Sequence, residues 1–148
     1  MLDHTFSGAY NLLVNCGQAR AGEHLLLCCE PEYLGYYDAE IVQDIKDCAA
    51  EIGLNVTLCE LGFEPVITAM PTHVVAAMAA ADLTVFLARA ADQLRFSGVN
   101  AGERVVVSFA LNGESLASSF GTVHYDATLA LKQAIDMVLF AAEEVTIT

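Results

Sequence analysis

The sequence predicts an α/β domain, a three-layer sandwich with a mostly parallel, Rossmann-like sheet of about four to five strands and helices on both faces. Two observations predict this fold. Apolar strand-like runs alternate with helical patterns along the chain, as in parallel sheets with helical crossovers. The 148 residues are 55% apolar, which is enough for one domain with a substantial core. The mean hydropathy of +0.49 indicates a sheet buried on both faces, an apolar surface meant for a partner, or both.

The first predicted elements have clear boundary signals. Apolar spacing over residues 5–17 predicts a helix. The apolar run 24–30 predicts a strand that ends at Pro31, because proline cannot continue a central ladder. Residues 38–52 predict a second helix, since apolar residues recur on one face behind an aspartate suited to an N-cap. Gly53 is expected to end this helix.

The middle of the chain continues the alternation of strand and helix. The apolar runs 55–61 and 82–87 predict the second and third strands. Between them, an alanine-rich segment with a proline at its start predicts a short helix over 71–80. The valine-rich run 104–110 predicts a fourth strand, and a helical turn is expected within 114–120. These elements supply four strands of the predicted sheet.

The last predicted helix, residues 126–144, is more apolar than an amphipathic surface helix. Its apolar set is Leu129, Leu131, Ile135, Val138, Leu139 and Ala142. Residues 145–148 predict the start of a further strand, with no turn or polar tail after it. We therefore expect residues 1–148 to be a single α/β domain that belongs to a longer protein.

The charge of the chain restricts its partners. Six Lys and Arg against 19 Asp and Glu give a formal net charge of −13 at pH 7. Without a basic patch, neither nucleic acid nor an anionic membrane surface is an expected partner. No apolar run approaches the roughly 20 residues of a membrane helix. Residues 1–15 also lack the basic segment of a secretory signal, so the sequence predicts a cytoplasmic protein.

The cysteines do not suggest a metal site. The five are Cys16, Cys28, Cys29, Cys48 and Cys59. Their spacing matches no zinc motif, and several lie in apolar strand-like runs, where a thiol behaves as a small hydrophobe. We expect all five to be reduced thiols, as is usual in the cytoplasm.

Common catalytic and nucleotide-binding motifs are absent from the sequence. It contains no glycine-rich phosphate loop, no nucleophile elbow and no zinc-protease motif. Glu30 and Glu60 stand at the ends of two successive predicted strands, and they would form a carboxylate pair for acid–base work if the sheet order brought them together. No catalytic residue is assigned.

Polar residues past the carboxyl end of the third predicted strand form the first candidate site. Arg89, Asp92, Gln93 and Arg95 directly follow the apolar run, and ligands bind at this edge in open α/β sheets. The two guanidinium groups are suited to hold a carboxylate or a phosphate, with Asp92 orienting one of them. In the other interpretation they have a structural or interdomain role, with Asp92 paired to Arg89 or Arg95.

Two further groups of residues have a functional and a structural interpretation. Asn112 and Ser118 follow the fourth predicted strand at the same ligand edge, but both residue types are common in turns. His124 and Asp126 would supply two metal ligands. More simply, Asp126 caps the last helix and His124 lies in the loop before it.

Three segments, together with the starting helix, resemble a known family. They are AGEHLLLCCEPE (21–32), ADLTVFLARAADQLRFSG (81–98) and the tail 115–148, which begins SLASSFGTVHYD. In this order they resemble the amino-terminal domain of a two-domain metalloenzyme family. That family includes the aminopeptidase T type of leucyl aminopeptidase and the related 2,5-dihydroxypyridine 5,6-dioxygenases. The resemblance covers most of this chain but only the first part of a family member.

The resemblance implies an α/β domain that helps to wall an active-site cleft and assists homodimer formation. In that family the metal ligands lie in a second, carboxyl-terminal domain. No metal ligand or cofactor is therefore implied for this chain, and the chain alone is expected to be inactive. The parent enzyme would use iron or another divalent metal, as a dioxygenase or as a hydrolase of the aminopeptidase type. The DQLRF stretch favours the dioxygenase-like branch.

One alternative function stays open. The chain would then be a stand-alone dimeric α/β module that binds a small anionic ligand through Arg89 and Arg95.

Overall fold

A four-stranded parallel sheet forms the centre of the molecule in the computed structural model, which describes residues 4–94, 104–144 and 146. The strands are β1 (His24–Cys29), β2 (Asn55–Glu60), β3 (Leu83–Leu87) and β4 (Val105–Val107). Their order is β2-β1-β3-β4, and each neighbouring pair is parallel. The predicted α/β class with a mostly parallel sheet is therefore confirmed.

The helices are interleaved with the strands along the chain. They are α1 (His4–Tyr10), a π-helix (Asn11–Cys16), a short 3₁₀ turn (Glu32–Leu34), α2 (Ala39–Ile52), α3 (Thr72–Ala79), α4 (Arg89–Leu94), α5 (Gly113–Ala117), α6 (Ser119–Thr122) and α7 (Tyr125–Ala141). The π-helix continues α1 without a break, so the helix predicted over 5–17 is present with a change of winding in its second half.

One face of the sheet packs against α1, the π-helix, α2 and α5. Alternate residues of β1 and β3 point into this layer, among them Leu25, Leu27 and Val85. Ile41 and Ile45 of α2 meet them one helical turn apart, and both are fully buried. This layer holds the larger of the two apolar clusters.

The other face of the sheet packs against α3 and α4. Leu26 of β1 and Phe86 of β3 point to this side, where Val74 and Met78 of α3 cover them. Helices thus lie on both faces of the sheet, as the three-layer sandwich requires.

The order of the strands locates a switch point. The chain passes from β1 to β2 on one side of the sheet and then to β3 on the other side of β1. The carboxyl ends of β1 and β3 therefore diverge into loops that leave in opposite directions. In doubly wound sheets this crevice is the usual position of a ligand.

Three elements differ from the sequence-based predictions. α4 was not predicted, because a six-residue helix carries too little periodicity to detect. β4 covers only Val105–Val107 of the predicted 104–110, since its pairing with β3 ends at Phe86. His124, not Asp126, caps α7, and its Nδ1 accepts a hydrogen bond from the Asp126 amide at 3.2 Å.

No helix among the described residues is long and apolar enough to cross a membrane. The strand predicted over 145–148 falls largely outside the described residues.

Candidate functional site

The switch-point crevice is where two of the predicted functional positions meet. Glu30 follows β1 directly, and its backbone amide donates to the carbonyl of Leu87 in β3 at 3.0 Å. Arg89 begins α4 two residues after β3 ends. The parallel pairing of β1 with β3 therefore brings Glu30 and Arg89 together, although they are 59 positions apart in the sequence.

Glu30 and Arg89 form a bidentate ion pair. Glu30 Oε2 accepts hydrogen bonds from the Arg89 Nη2 at 2.7 Å and from Nε at 3.0 Å. Glu30 Oε1 accepts from the Arg89 backbone amide at 2.6 Å, so the same carboxylate also holds the first turn of α4. The Glu30 side chain is 1% exposed and that of Arg89 is 26% exposed. A buried carboxylate is tolerated here because the guanidinium compensates its charge.

Two aromatic rings lie against the guanidinium group. The Arg89 Cζ atom is 4.2 Å from the centre of the Tyr36 ring and 3.7 Å from that of Phe63. Both distances are within the range of a cation–π contact. The hydrogen bonds to Glu30 are the main cause of the raised pKa of Arg89. We call Glu30, Arg89, Tyr36 and Phe63 the arginine clamp.

Tyr37 lies beside the arginine clamp and is buried. Burial, followed by the negative charge of Glu30, raises the pKa of the Tyr37 hydroxyl to about 12. Its ring contacts the Tyr36 ring edge-on, with 5.1 Å between the ring centres. Tyr37 is therefore neutral at physiological pH and supports the wall of the crevice.

The other predicted residues of the first candidate site lie on α4 or outside the described residues. Asp92 is half-buried in α4, and Gln93 Nε2 donates to the Pro65 carbonyl at 3.3 Å. Arg95 lies outside the described residues. Of Arg89 and Arg95, the structure thus describes Arg89, and its guanidinium binds the carboxylate of Glu30 in the same chain.

Asn112 and Ser118 act as helix caps. The Asn112 side chain accepts from the Ser115 amide at 2.8 Å, in a capping box that starts α5. Ser118 accepts from the Gly121 amide at the start of α6, and its hydroxyl donates to the Ser115 carbonyl at 2.6 Å. Both side chains use their hydrogen-bonding groups for turn and helix geometry.

The sequence also suggested two residue pairs as sites: Glu30 with Glu60, and His124 with Asp126. Glu30 is bound by Arg89 rather than paired with Glu60, which lies exposed at the end of β2 beside a separate cavity. His124 Nδ1 lies 3.8 Å from Asp126 Oδ2, and both side chains are exposed. Within the described part of the chain, no group of three His, Cys, Asp or Glu residues is placed to hold a metal ion.

The partners of Arg89 were not predicted from the sequence. The local pattern suggested Asp92, whereas the carboxylate that binds the guanidinium comes from the end of a different strand. The available signal was an acidic residue directly after a buried strand. That signal becomes specific only when the strand order is known.

A second feature of the molecule is the apolar surface of α7. None of the 17 residues of α7 is buried. Six exposed side chains of α7 are large and apolar, and at 3.6 residues per turn they are distributed around the helix rather than along one side. Together we call them the α7 face: Leu131, Ile135, Met137, Val138, Leu139 and Phe140. Phe140 is 90% exposed and Met137 is 70% exposed. Monomeric proteins rarely expose so many contiguous large apolar groups, so this surface is typical of an interaction site.

The sequence and the fold were compared with known proteins. No family model and no curated protein sequence matches this chain. A 2,5-dihydroxypyridine dioxygenase from Pseudomonas putida KT2440 is similar in structure, with 15% identity and a TM-score of 0.48, over 73% of this chain and 35% of that chain. VinN in complex with L-aspartate is also similar, with 18% identity and a TM-score of 0.46, over 97% of this chain and 30% of that chain.

This chain spans about a third of the length of these two solved proteins. The structural neighbours thus include a 2,5-dihydroxypyridine dioxygenase at low identity, whereas no family model or curated sequence supports the aminopeptidase T family. Neither structural likeness assigns an activity to this chain.

Proposed function

We propose that this chain is the amino-terminal, non-metal-binding domain of a metal-dependent enzyme of the 2,5-dihydroxypyridine 5,6-dioxygenase or aminopeptidase T type. In this role it helps to wall the active-site cleft and to form a dimer. The order of segments in the sequence supports membership of this enzyme family. The exposed apolar α7 face supports contact of α7 with another protein surface.

The exposure of α7 is the observation that carries the proposal. A helix of 17 residues is about 25 Å long, and it needs an apolar contact along one side to be stable in water. Here the large side chains of the α7 face remain in water. A second domain, a second copy of the chain, or both would bury these side chains. The removal of apolar area from water drives such association.

The arginine clamp fits a role in shaping the cleft. It ties the end of β1 to the start of α4 at the switch point and covers the crevice with Tyr36 and Phe63. Because Glu30 already binds the guanidinium, the geometry favours the structural role of Arg89 over capture of a free anion. We therefore do not advance the stand-alone anion-binding module as a second function.

Substitution within the α7 face tests the covering role. The double variant Leu131→Gln, Val138→Gln removes apolar area without adding charge, and both positions are more than 60% exposed. We expect size-exclusion chromatography with light scattering to show a dimer for the parent chain and a monomer for the variant. Val66→Gln is the matched control, because Val66 is 82% exposed but lies in a loop far along the chain. A monomeric parent chain would contradict dimerisation through this face.

The enzyme assignment has a separate test. Reading the coding frame past codon 148 is expected to reveal a second domain that carries the His, Asp or Glu metal ligands. A stop codon at that position would count against the two-domain enzyme without affecting the dimerisation result.

A further inference from the structure

A cavity between the sheet edge and the last helices has no role in the proposed function. It has a volume of about 180 Å³ and lies between the end of β4, the π-helix and the segment from α5 to the first turn of α7. Its walls include Leu12, Leu116 and Val123, with the aromatic rings of Phe109, Phe120 and Tyr125.

The lining of the cavity excludes charged ligands. None of the 14 described residues that line it is Asp, Glu, Lys, Arg or His, although the chain as a whole has a net charge of −13. A charged ligand that entered would lose hydration without gaining an ionic partner, which disfavours its binding. The lining therefore selects neutral molecules.

The volume sets the size of the ligand. An apolar cavity of roughly 150 Å³ is large enough to accept benzene. A cavity of about 180 Å³ therefore admits one six-membered ring with about three additional heavy atoms. The three aromatic side chains in the lining are suited to edge and face contacts with such a ring.

Ser108 supplies a polar anchor. This residue is buried and lines the cavity directly after β4. Its Oγ atom accepts a hydrogen bond from the Ala110 amide at 3.3 Å, and among the described residues no acceptor is found for its own hydroxyl hydrogen. A buried hydroxyl gains free energy when its hydrogen finds an acceptor.

Asn11, the other buried polar residue in the lining, is already engaged. Its side-chain amide donates to the carbonyls of Gly121 and Val123 at 2.8 Å each, and its Oδ1 accepts from Asn15. Asn11 therefore holds the α6 wall of the cavity in place, and Ser108 is the group suited to contact a ligand.

We infer that this cavity binds a neutral, single-ring aromatic compound with one hydrogen-bond acceptor, whose acceptor atom receives the Ser108 hydroxyl hydrogen. This site is separate from the arginine clamp. It does not require the proposed metalloenzyme to be correct.

Two probes of almost equal size and shape test the inference. Acetophenone is neutral and has a carbonyl acceptor, whereas benzoate has a negative charge. We expect acetophenone to shift the amide NMR signals of Ser108, Phe120 and their neighbours in a saturable way, with a Kd of about 1 mM or tighter, as its few heavy atoms allow. Benzoate should bind at least about tenfold more weakly.

Variants identify the contacts. Ser108→Ala should weaken acetophenone binding about fivefold, which corresponds to one lost hydrogen bond. Phe120→Ala should also weaken it and should fold normally, since Phe120 is 69% exposed. Tyr33→Ala is the control, because Tyr33 is an exposed aromatic residue outside the cavity.

Three results would overturn the inference. They are the absence of saturable shifts at the cavity, equal binding of benzoate and acetophenone, and unchanged binding in both cavity variants. A dimer that dissociates in Phe120→Ala, without any binding of acetophenone, would instead identify the cavity as a protein-docking surface.

Discussion

The effect of the Glu30–Arg89 ion pair on stability depends on its burial at the switch point. The Glu30 carboxylate is almost completely removed from water, whereas the Lys132–Asp136 pair on α7 is exposed. Removal of one partner from a buried pair leaves an uncompensated charge, but removal of one partner from an exposed helical pair loses little. The same type of contact should therefore have very different effects at the two positions.

Arg89→Met tests the arginine clamp. We expect it to lower the free energy of unfolding by about 3 kcal/mol, because it leaves Glu30 buried without its cation. Lys132→Met is the matched control and should cost about 0.5 kcal/mol or less. Urea denaturation measures both values. Equal effects of the two substitutions would show that the clamp is not a structural ion pair.

Tyr37 should make folding sensitive to high pH. Its pKa is about 12 in the folded protein, against 10 for an ordinary tyrosine, so the folded state retains a proton that the unfolded state loses. The stability that this group contributes is complete below pH 10 and declines as the pH rises from 10 to 12, by about 2–3 kcal/mol. Unfolding of Tyr37→Phe should show a shallower decline over this range, and identical slopes would contradict the burial of the hydroxyl.

The residue scale also shows the limit of prediction from the sequence. Arg89 was recognised as a special position because it follows a buried strand in a chain with few cations. Its partner was not recognised, since Glu30 approaches it only through the pairing of β1 with β3. Local spacing instead suggested Asp92. A contact that depends on strand order has no local signal.

Elements with strong local signals were predicted well. β1, β2 and β3 were found within one residue at each end, because their apolar runs are bounded by turns and by Pro31. The extent of β4 and the presence of α4 were not predicted, because both depend on neighbouring elements. Within the described part of the chain, β4 pairs only with β3 and is shorter than its apolar run. α4 begins where the Glu30 carboxylate holds the Arg89 amide.

Close approach between helices explains one glycine of α1. Gly8 packs against Leu116 of α5, where a Cβ atom would overlap the Leu116 carbonyl oxygen. The absence of a side chain therefore allows α1 and α5 to lie together on the same face of the sheet.

Gly8→Ala tests this packing. We expect a loss of about 2 kcal/mol in the free energy of unfolding, because backbone atoms must move apart to accept the methyl group. Gly62→Ala is the control, since among the described residues, its two chain neighbours aside, no heavy atom lies within 4 Å of the position of its added Cβ. Thermal or urea unfolding distinguishes the two, and a neutral Gly8→Ala would contradict the close contact of the two helices.

At the scale of the whole molecule, charge and apolar surface are separated. Of the net charge of −13, α7 contributes only −1, because it contains two acidic residues and one lysine among its large apolar side chains. A strongly charged surface keeps a protein dispersed, and a weakly charged apolar face promotes association at one place. The apolar character of α7 was visible in the sequence, but its exposure is known only from the packing.

Native mass spectrometry of the purified chain, with elemental analysis of the same sample, tests the central claim most directly. The account predicts a metal-free dimer or larger assembly that is held together by the α7 face. A monomer that carries a stoichiometric metal ion would contradict it, because such a chain would contain its own metal site and would leave the α7 face uncovered.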